Sequence, residues 1–289
     1  MGTEGTGRAG GTRPLHSGLN RAAALARCSH PEPVVVVTAV ASLLAATAGR
    51  GPGTLWLTGA IFTGQLSVGW SNDWLDRRLD TQAQRQNKPL VAGTVPPHVV
   101  GYAALAAFAA SLPLSFAYGV AAGAVHVVAL ACAFVYNLGL KATPAGILPY
   151  AAAFGLLPVI VTLGLSPSRL PPAWAIAAGA LLGCGGHFAQ VLGDIPTDRR
   201  LGFRGLPHLL GRQWSAVTAA ALLLVATVLV TFGPQPAGPL QLAALGLAAV
   251  FAAGIVAAAR IGRLKVAYLL LLCAAVVAVL GFATGGRSL

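Results

Sequence analysis

The sequence predicts an all-α polytopic membrane protein, with about nine transmembrane helices around a central cavity. Three observations lead to this. Of 289 residues, 56% are hydrophobic and 9% charged, whereas soluble domains carry about 25% charged residues. Nine predominantly apolar runs recur along the chain, most of them close to the ~20 residues that a helix needs to cross hydrocarbon. Lys and Arg are unevenly shared between the two sets of alternating loops, which is the mark of a fixed membrane orientation.

Residues 1–28 are rich in Gly, Arg and Thr and lack an apolar h-region. They read as a disordered cytoplasmic tail rather than a cleaved signal peptide, and residues 29–289 as one transmembrane domain. The motif "HPEP" at 30–33 supplies a breaker and N-terminal cap before the first span, 33–49. The second span covers 54–71. The third and fourth, 98–116 and 118–137, are separated only by Pro113 and Gly119. The fifth covers 145–165. The sixth, 172–194, carries "GCGG" at 183–186, a place for close helix packing or a bend. Spans at 213–232, 238–260 and 266–284 complete the set. Cys28, Cys132, Cys184 and Cys273 have no metal-ligand spacing, and the last three lie inside apolar runs as small hydrophobes.

A net charge of +12 would suit nucleic acid, but no basic patch interleaved with aromatics and no nucleic-acid motif is present. Topology explains the charge instead. With the N-terminus in the cytoplasm, sixteen of the nineteen Lys and Arg residues fall on the cytoplasmic side, and only Arg50, Arg169 and Arg287 fall outside. The expected location is the plasma membrane, multi-pass, with the functional face toward the cytoplasm. The two long polar connections, 72–97 and 194–212, both lie on that face.

The seven acidic residues are sharply concentrated. Five of them, Asp73, Asp76, Asp80, Asp194 and Asp198, sit in those two connections, each group following an apolar span. If the second span continues as helix through "NDWLDRRLD" at 72–80, then Asn72, Asp73, Asp76 and Asp80 share an arc of about 100°. Like charges at i, i+4 repel, and a divalent cation would reverse the sign of that interaction. Asp194 and Asp198 repeat the four-residue spacing. Carboxylate and amide oxygens suit Mg²⁺, which commonly divides its shell between carboxylates and phosphates. Two facing clusters would hold two or three Mg²⁺ around a diphosphate, with Asn72, Asp73, Asp76, Asp80, Asp194 and Asp198 as metal ligands. The plainer alternative is solvated helix ends paired to Arg77, Arg78, Arg199 or Arg200.

Basic residues accompany both clusters. Arg85 and Lys88 lie in "RQNKPLVAG", Tyr136 and Lys141 in "YNLGLK", and Arg199, Arg200 and Arg204 in "DIPTDRRLGFRGLPHLLG". Cations there would neutralise a diphosphate. His187 and Gln190 precede the second cluster by one or two turns and are candidates for contact with an acceptor or a carbocation, or for plain helix packing.

These stretches resemble the UbiA family of intramembrane prenyltransferases. "NDWLDRRLD" is similar to its first aspartate motif, "KPLVAG" to the continuation, "YNLGLK" to the Tyr-to-Lys stretch and "DIPTDRRLGFRGLPHLLG" to the second motif. The resemblance implies a catalytic set of Asp76, Asp80, Asp194, Asp198 and Lys141. It also implies contacts of Lys88, Tyr136 and Lys141 with the diphosphate, beside which Arg85, Arg199 and Arg204 stand as candidate contacts by their position, and an apolar chamber for the prenyl tail. The implied reaction is Mg²⁺-dependent transfer from a prenyl diphosphate to an aromatic or other lipophilic acceptor. Pro196 inside the second motif is a departure, and it suggests that Asp194 ends the sixth span with Asp198 on a new turn. A membrane terpene cyclase of the same family shares both motifs and stays open as an alternative. A transporter would hold acidic residues near the midplane, and here none does. The DG…AR pattern of CDP-alcohol phosphotransferases is absent.

Overall fold

Long apolar runs must satisfy their backbone groups internally when water is absent, and helices do so within one segment. The computed structural model describes residues 13–233 and 236–284, and side chains for 20–233 and 236–281. Among the described residues there are helices and no strand. They are α1 (Arg13–Cys28), α2 (Pro31–Thr47), α3 (Thr54–Gln82), α4 (Pro97–Tyr118), α5 (Val120–Asn137), α6 (Ile147–Leu163) and α7 (Ala173–Gln190). Two short helices, α8 (Ile195–Arg200) and α9 (Leu206–Leu210), precede α10 (Arg212–Phe232), α11 (Pro239–Arg260) and α12 (Leu264–Thr284).

Each expected span coincides with one long helix, but fewer meet the length and apolarity of a membrane crossing. Six do, and seven if α1 and α2, bent by 63°, count as one. The count of nine crossings is therefore not reached. α2 has only 17 residues, α3 carries glycine, tryptophan, hydroxyl and amide side chains among its apolar residues, and α7 carries glycines, a histidine and an amide toward its end. Both of those helices line the internal cavity, and a wall facing a cavity is not held to the apolarity that lipid imposes.

Three boundaries differ from the sequence reading. Residues 13–28, expected to be disordered, form α1. The reason is its apolar stripe: Ala24 and Cys28 are buried, and with Leu25 they pack on Trp70, Trp74, Val95 and Val100. The Trp70 indole donates to the Leu25 carbonyl at 2.8 Å. Residues 1–12 of the expected tail lie outside the described residues. α3 runs unbroken to Gln82, so the first aspartate motif is helical, as the one-face argument requires. α7 stops at Gln190, and Asp194 occupies the cap position of α8 with Pro196 in the first turn. A proline there costs nothing, because the first-turn N–H groups have no intrahelical acceptor.

The helices close a ring. α2, α3, α5, α6, α7, α10 and α12 pack in that order, and α12 returns against α2; α4 leans on α3 and α5 from outside, and α11 on α10 and α12. Small residues permit the closest crossings. A Cβ at Gly179 would lie 2.5 Å from the Phe154 carbonyl oxygen, and one at Gly183 would lie 2.6 Å from the Phe154 Cβ. Leu55, Tyr102, Leu105, Val120 and Val250 face outward, where lipid rather than water is their natural solvent.

At Gly69 α3 touches the α1–α2 junction so closely that a Cβ would lie 2.2 Å from the Ser29 carbonyl oxygen. Both partners are backbone and neither can yield. Gly69→Ala is expected to destabilise the fold by about 1–3 kcal/mol, read as a lower unfolding midpoint of the purified protein in detergent. An unchanged midpoint would refute this account of the junction.

Candidate active site

The ring encloses a cavity of about 260 Å³. It runs from Asn72, Tyr136 and Asn137 at the end that carries both aspartate motifs to Trp174 and Val279 near the other end. Its wall is mostly Val, Leu, Ile and Ala from the seven helices of the ring.

At the motif end, one guanidinium joins the two halves of the sequence. The chain leaves α3, turns back, and sends Arg85 between the motifs. Arg85 Nη1 donates to Asp80 Oδ1 at 2.9 Å, and Nη2 donates to Asp198 Oδ1 at 2.8 Å and lies 3.1 Å from Asp194 Oδ1. Burial pushes the Asp80 carboxyl above its ordinary range, although Lys88 and Arg85 oppose it. Burial also pulls Arg85 down, but Asp194, Asp198 and Asp80 outweigh that and hold it above its ordinary value.

Lys141 sits on a short 3₁₀ turn, Leu140–Ala142, entered through Gly139 at φ 141°. Its ammonium is buried and donates to both oxygens of Asp76. The second motif steadies this turn: the Arg204 backbone N–H donates to the Ala142 carbonyl at 2.8 Å. Asn72 Nδ2 donates to Asn137 Oδ1 at 2.9 Å, and Asn137 Nδ2 donates to the Val68 carbonyl and Ser71 Oγ, both at 3.0 Å. α3 and α5 are thereby pinned together at the mouth.

Asp73, expected among the metal ligands or just behind them, is already paired within the protein. It is 1% exposed and is occupied by Lys88 and by His30 Nε2, the latter at 2.9 Å. Burial raises its pKa, but the His30 hydrogen bond and Lys88 outweigh it, and the carboxyl titrates below its ordinary range. Asp73 therefore positions Lys88 and His30. Sequence reasoning missed this role of His30, taking "HPEP" as a breaker and N-terminal cap. The backbone does break there, with His30 at φ 56° before Pro31, and that same turn delivers the ring to Asp73.

Two of the expected diphosphate contacts are also placed elsewhere. Arg199 donates to the His208 carbonyl at 2.6 Å and the Leu209 carbonyl at 3.3 Å, clamping α8 to α9 because its position in the last turn of α8 points away from Asp198. The Arg204 side chain is exposed, and its backbone does the positioning. In their place stands His208, buried, with Nε2 3.2 Å from Asp198 Oδ2. Nothing in the sequence marks it, since the nine residues between them fold back only through α9.

Tyr136, Tyr150 and His187 form an aromatic group at the cavity mouth. Tyr136 lies 4.9 Å from Tyr150 and 5.6 Å from His187 between centroids. His187 is buried, with Nδ1 3.4 Å from the Tyr136 hydroxyl. Tyr150, also missed, donates to Gln190 Oε1 at 2.8 Å.

Among the described residues, no three His, Cys, Asp or Glu side chains stand preassembled for a metal ion. Arg85 and Lys141 instead hold the carboxylates. The donor chemistry still fits Mg²⁺: Asp80, Asp194 and Asp198 converge on a single positive charge, every donor is a hard oxygen, and Mg²⁺ takes such donors together with phosphate.

Two outcomes follow. Breaking a largely buried pair leaves uncompensated charge, so Arg85→Gln is expected to cost about 3 kcal/mol of stability without divalent ions. Added Mg²⁺ then raises the unfolding midpoint more in the variant than in the wild type; equal responses would show that these carboxylates are not its ligands. For Asp73, a depressed native pKa means that its stabilisation is complete above the ordinary carboxylate range and is lost as pH falls through the depressed value. Asp73→Asn is expected to lower stability near neutral pH and to remove that acid limb from the stability profile.

The family model described as "UbiA prenyltransferase family" matches residues 34–266. A digeranylgeranylglyceryl phosphate synthase of Pyrococcus abyssi is 29% identical over 168 residues, 58% of this chain and 60% of that protein. The bacteriochlorophyll synthase 33 kDa chain of Cereibacter sphaeroides is 28% identical over 202 residues, 63% of this chain and 66% of that protein. The chain thus spans less than two thirds of the length of these relatives. An apo UbiA homologue from Aeropyrum pernix K1 superposes with a TM-score of 0.70 at 21% identity, covering 88% of this chain and 98% of that one. A UbiA homologue from Archaeoglobus fulgidus, bound to GPP and Mg²⁺, superposes with a TM-score of 0.61 at 15% identity, covering 89% and 99%. With the family model matching well over half of its length, the chain belongs to the UbiA prenyltransferase family.

Proposed function

We propose that this chain transfers a prenyl group from an allylic prenyl diphosphate to an aromatic or other lipophilic acceptor, with Mg²⁺ at Asn72, Asp76, Asp80, Asp194 and Asp198. The observation that carries this is the convergence of Asp80, Asp194 and Asp198 on Arg85 at the mouth of an apolar cavity. The solved homologue with GPP and Mg²⁺ bound and the relatives named as synthases support the same reading.

The chemistry is heterolysis of the C1–O bond, with both electrons leaving on the diphosphate. Mg²⁺, when bound, supplies positive charge that stabilises this leaving group. Arg85, Lys88 and Lys141 add three cations around the same place, each already oriented by a carboxylate, so little reorganisation accompanies the transition state. The rings of Tyr136 and Tyr150 at the mouth offer π faces to the allylic cation. The apolar wall holds the tail and keeps water from the cation. A nucleophilic carbon or oxygen of the acceptor then bonds to C1 and gives up its proton. In this reading the mouth faces the cytoplasm, in keeping with the distribution of Lys and Arg.

Purified protein in nanodiscs, given C10 to C20 prenyl diphosphates and a panel of lipophilic acceptors, is expected to release diphosphate and form a prenylated adduct seen by mass spectrometry. EDTA abolishes the product, and Asp76→Asn lowers turnover by about 10²-fold or more. Hydrocarbon or terpene alcohol formed without any acceptor would replace the transferase reading by a cyclase.

A further inference from the structure

Deep in the cavity one polar side chain has no counterpart in a hydrocarbon ligand. His126 of α5 lines the cavity and is 4% exposed. Its Nδ1 lies 2.7 Å from Ser115 Oγ on α4. Ser115 has a single proton, and its Oγ stands 2.6 Å from the Ser111 carbonyl oxygen. A carbonyl carries no proton, so the serine proton must lie in that contact. Ser115 therefore accepts from His126, the imidazole is the Nδ1–H tautomer, and Nε2 presents a bare lone pair. That lone pair has no hydrogen-bond partner among the described residues. Across from it is Gly64 of α3, where a Cβ would lie 3.4 Å from Nε2. The next residue, Gln65, also lines the cavity, so a second polar group stands at the same level.

The depth follows from helix rise. At about 1.5 Å per residue, His126 lies roughly 16 Å along α5 from Asn137, and Gly64 roughly 12 Å along α3 from Asn72. Asn72 and Asn137 mark the diphosphate end. An acceptor that faces the cavity without a partner is costly once an apolar ligand displaces water from it, and apart from Gln65 the wall at this level is apolar.

We infer that His126 Nε2 forms a subsite for a hydroxyl group carried on the apolar body of a ligand, roughly 12 to 16 Å from the diphosphate end. The lipophilic molecule that fills the cavity is thus oxygenated at depth and not purely hydrocarbon. This rests on the proposed diphosphate site, which serves as the anchor from which depth is measured.

The test uses saturated straight-chain alkyl diphosphates of increasing length, which cannot ionise as allylic ones do, each paired with its ω-hydroxy counterpart. Binding to the full chain in detergent with Mg²⁺ is measured by calorimetry. At the chain length that reaches His126, the hydroxyl compound is expected to bind about tenfold more tightly than the same compound binds His126→Leu. The plain chain of that length binds both proteins alike, which also reports that the variant is folded. His126→Gln, which keeps an acceptor oxygen, retains part of the preference. No length-dependent advantage in the wild type, or an advantage that persists in His126→Leu, overturns the subsite while leaving the diphosphate site standing. Failure of plain and hydroxylated chains alike to bind the wild type overturns the diphosphate site and this inference with it.

Discussion

The site depends on one guanidinium held among three carboxylates. Asp80 belongs to the end of α3, while Asp194 caps α8 and Asp198 lies within it, beyond α7. Like charges brought together in a partly buried place repel, and neither group would settle there alone. Arg85 makes the meeting favourable and fixes the width of the mouth. The same balance underlies the proposed binding of a divalent ion and a diphosphate, because the carboxylates are gathered in advance and the cations are already nearby. Lys141 on Asp76 and Lys88 on Asp73 repeat this logic on either side.

Around this centre the local structure has one recurrent purpose, which is to hold short polar connections still. Arg85 and Lys88 lie in the turns that follow α3, and α1 covers that region: Arg27 donates to the Asn87 carbonyl at 2.7 Å, and the Trp70 indole ties α1 to α3. Arg199 clamps α8 to α9, and the Arg204 backbone braces the Lys141 turn. Groups that look catalytic by composition thus divide into those that meet the cavity mouth and those that keep its parts in place. Loops positioned by a rigid scaffold are the usual home of such sites.

The cavity adds a different constraint. Its helices need small residues where backbones cross, as at Gly179 and Gly183 against Phe154, and several of its polar residues are answered by a neighbour. Tyr150 is answered by Gln190 and His126 Nδ1 by Ser115. The free side of His126 is what turns an apolar chamber into a selective one.

Much of this was legible in the sequence. Apolar runs locate the long helices, because the bilayer admits few other backbone solutions. The four-residue spacing of Asp76 and Asp80, and of Asp194 and Asp198, marks the two halves of the site, because carboxylates are scarce elsewhere in the chain. What sequence could not show was which cation meets which carboxylate. Lys88 turns to Asp73, Lys141 to Asp76, Arg85 to both motifs and Arg199 to a helix end. His30, Tyr150 and His208 join only because chain segments 43, 40 or 10 residues from their partners fold back upon them or run alongside them. Periodicity and composition act through local backbone geometry, and these a single chain determines by itself. The pairing of charges and the tautomer of His126 depend on distances between helices remote in sequence, which only the closed ring decides.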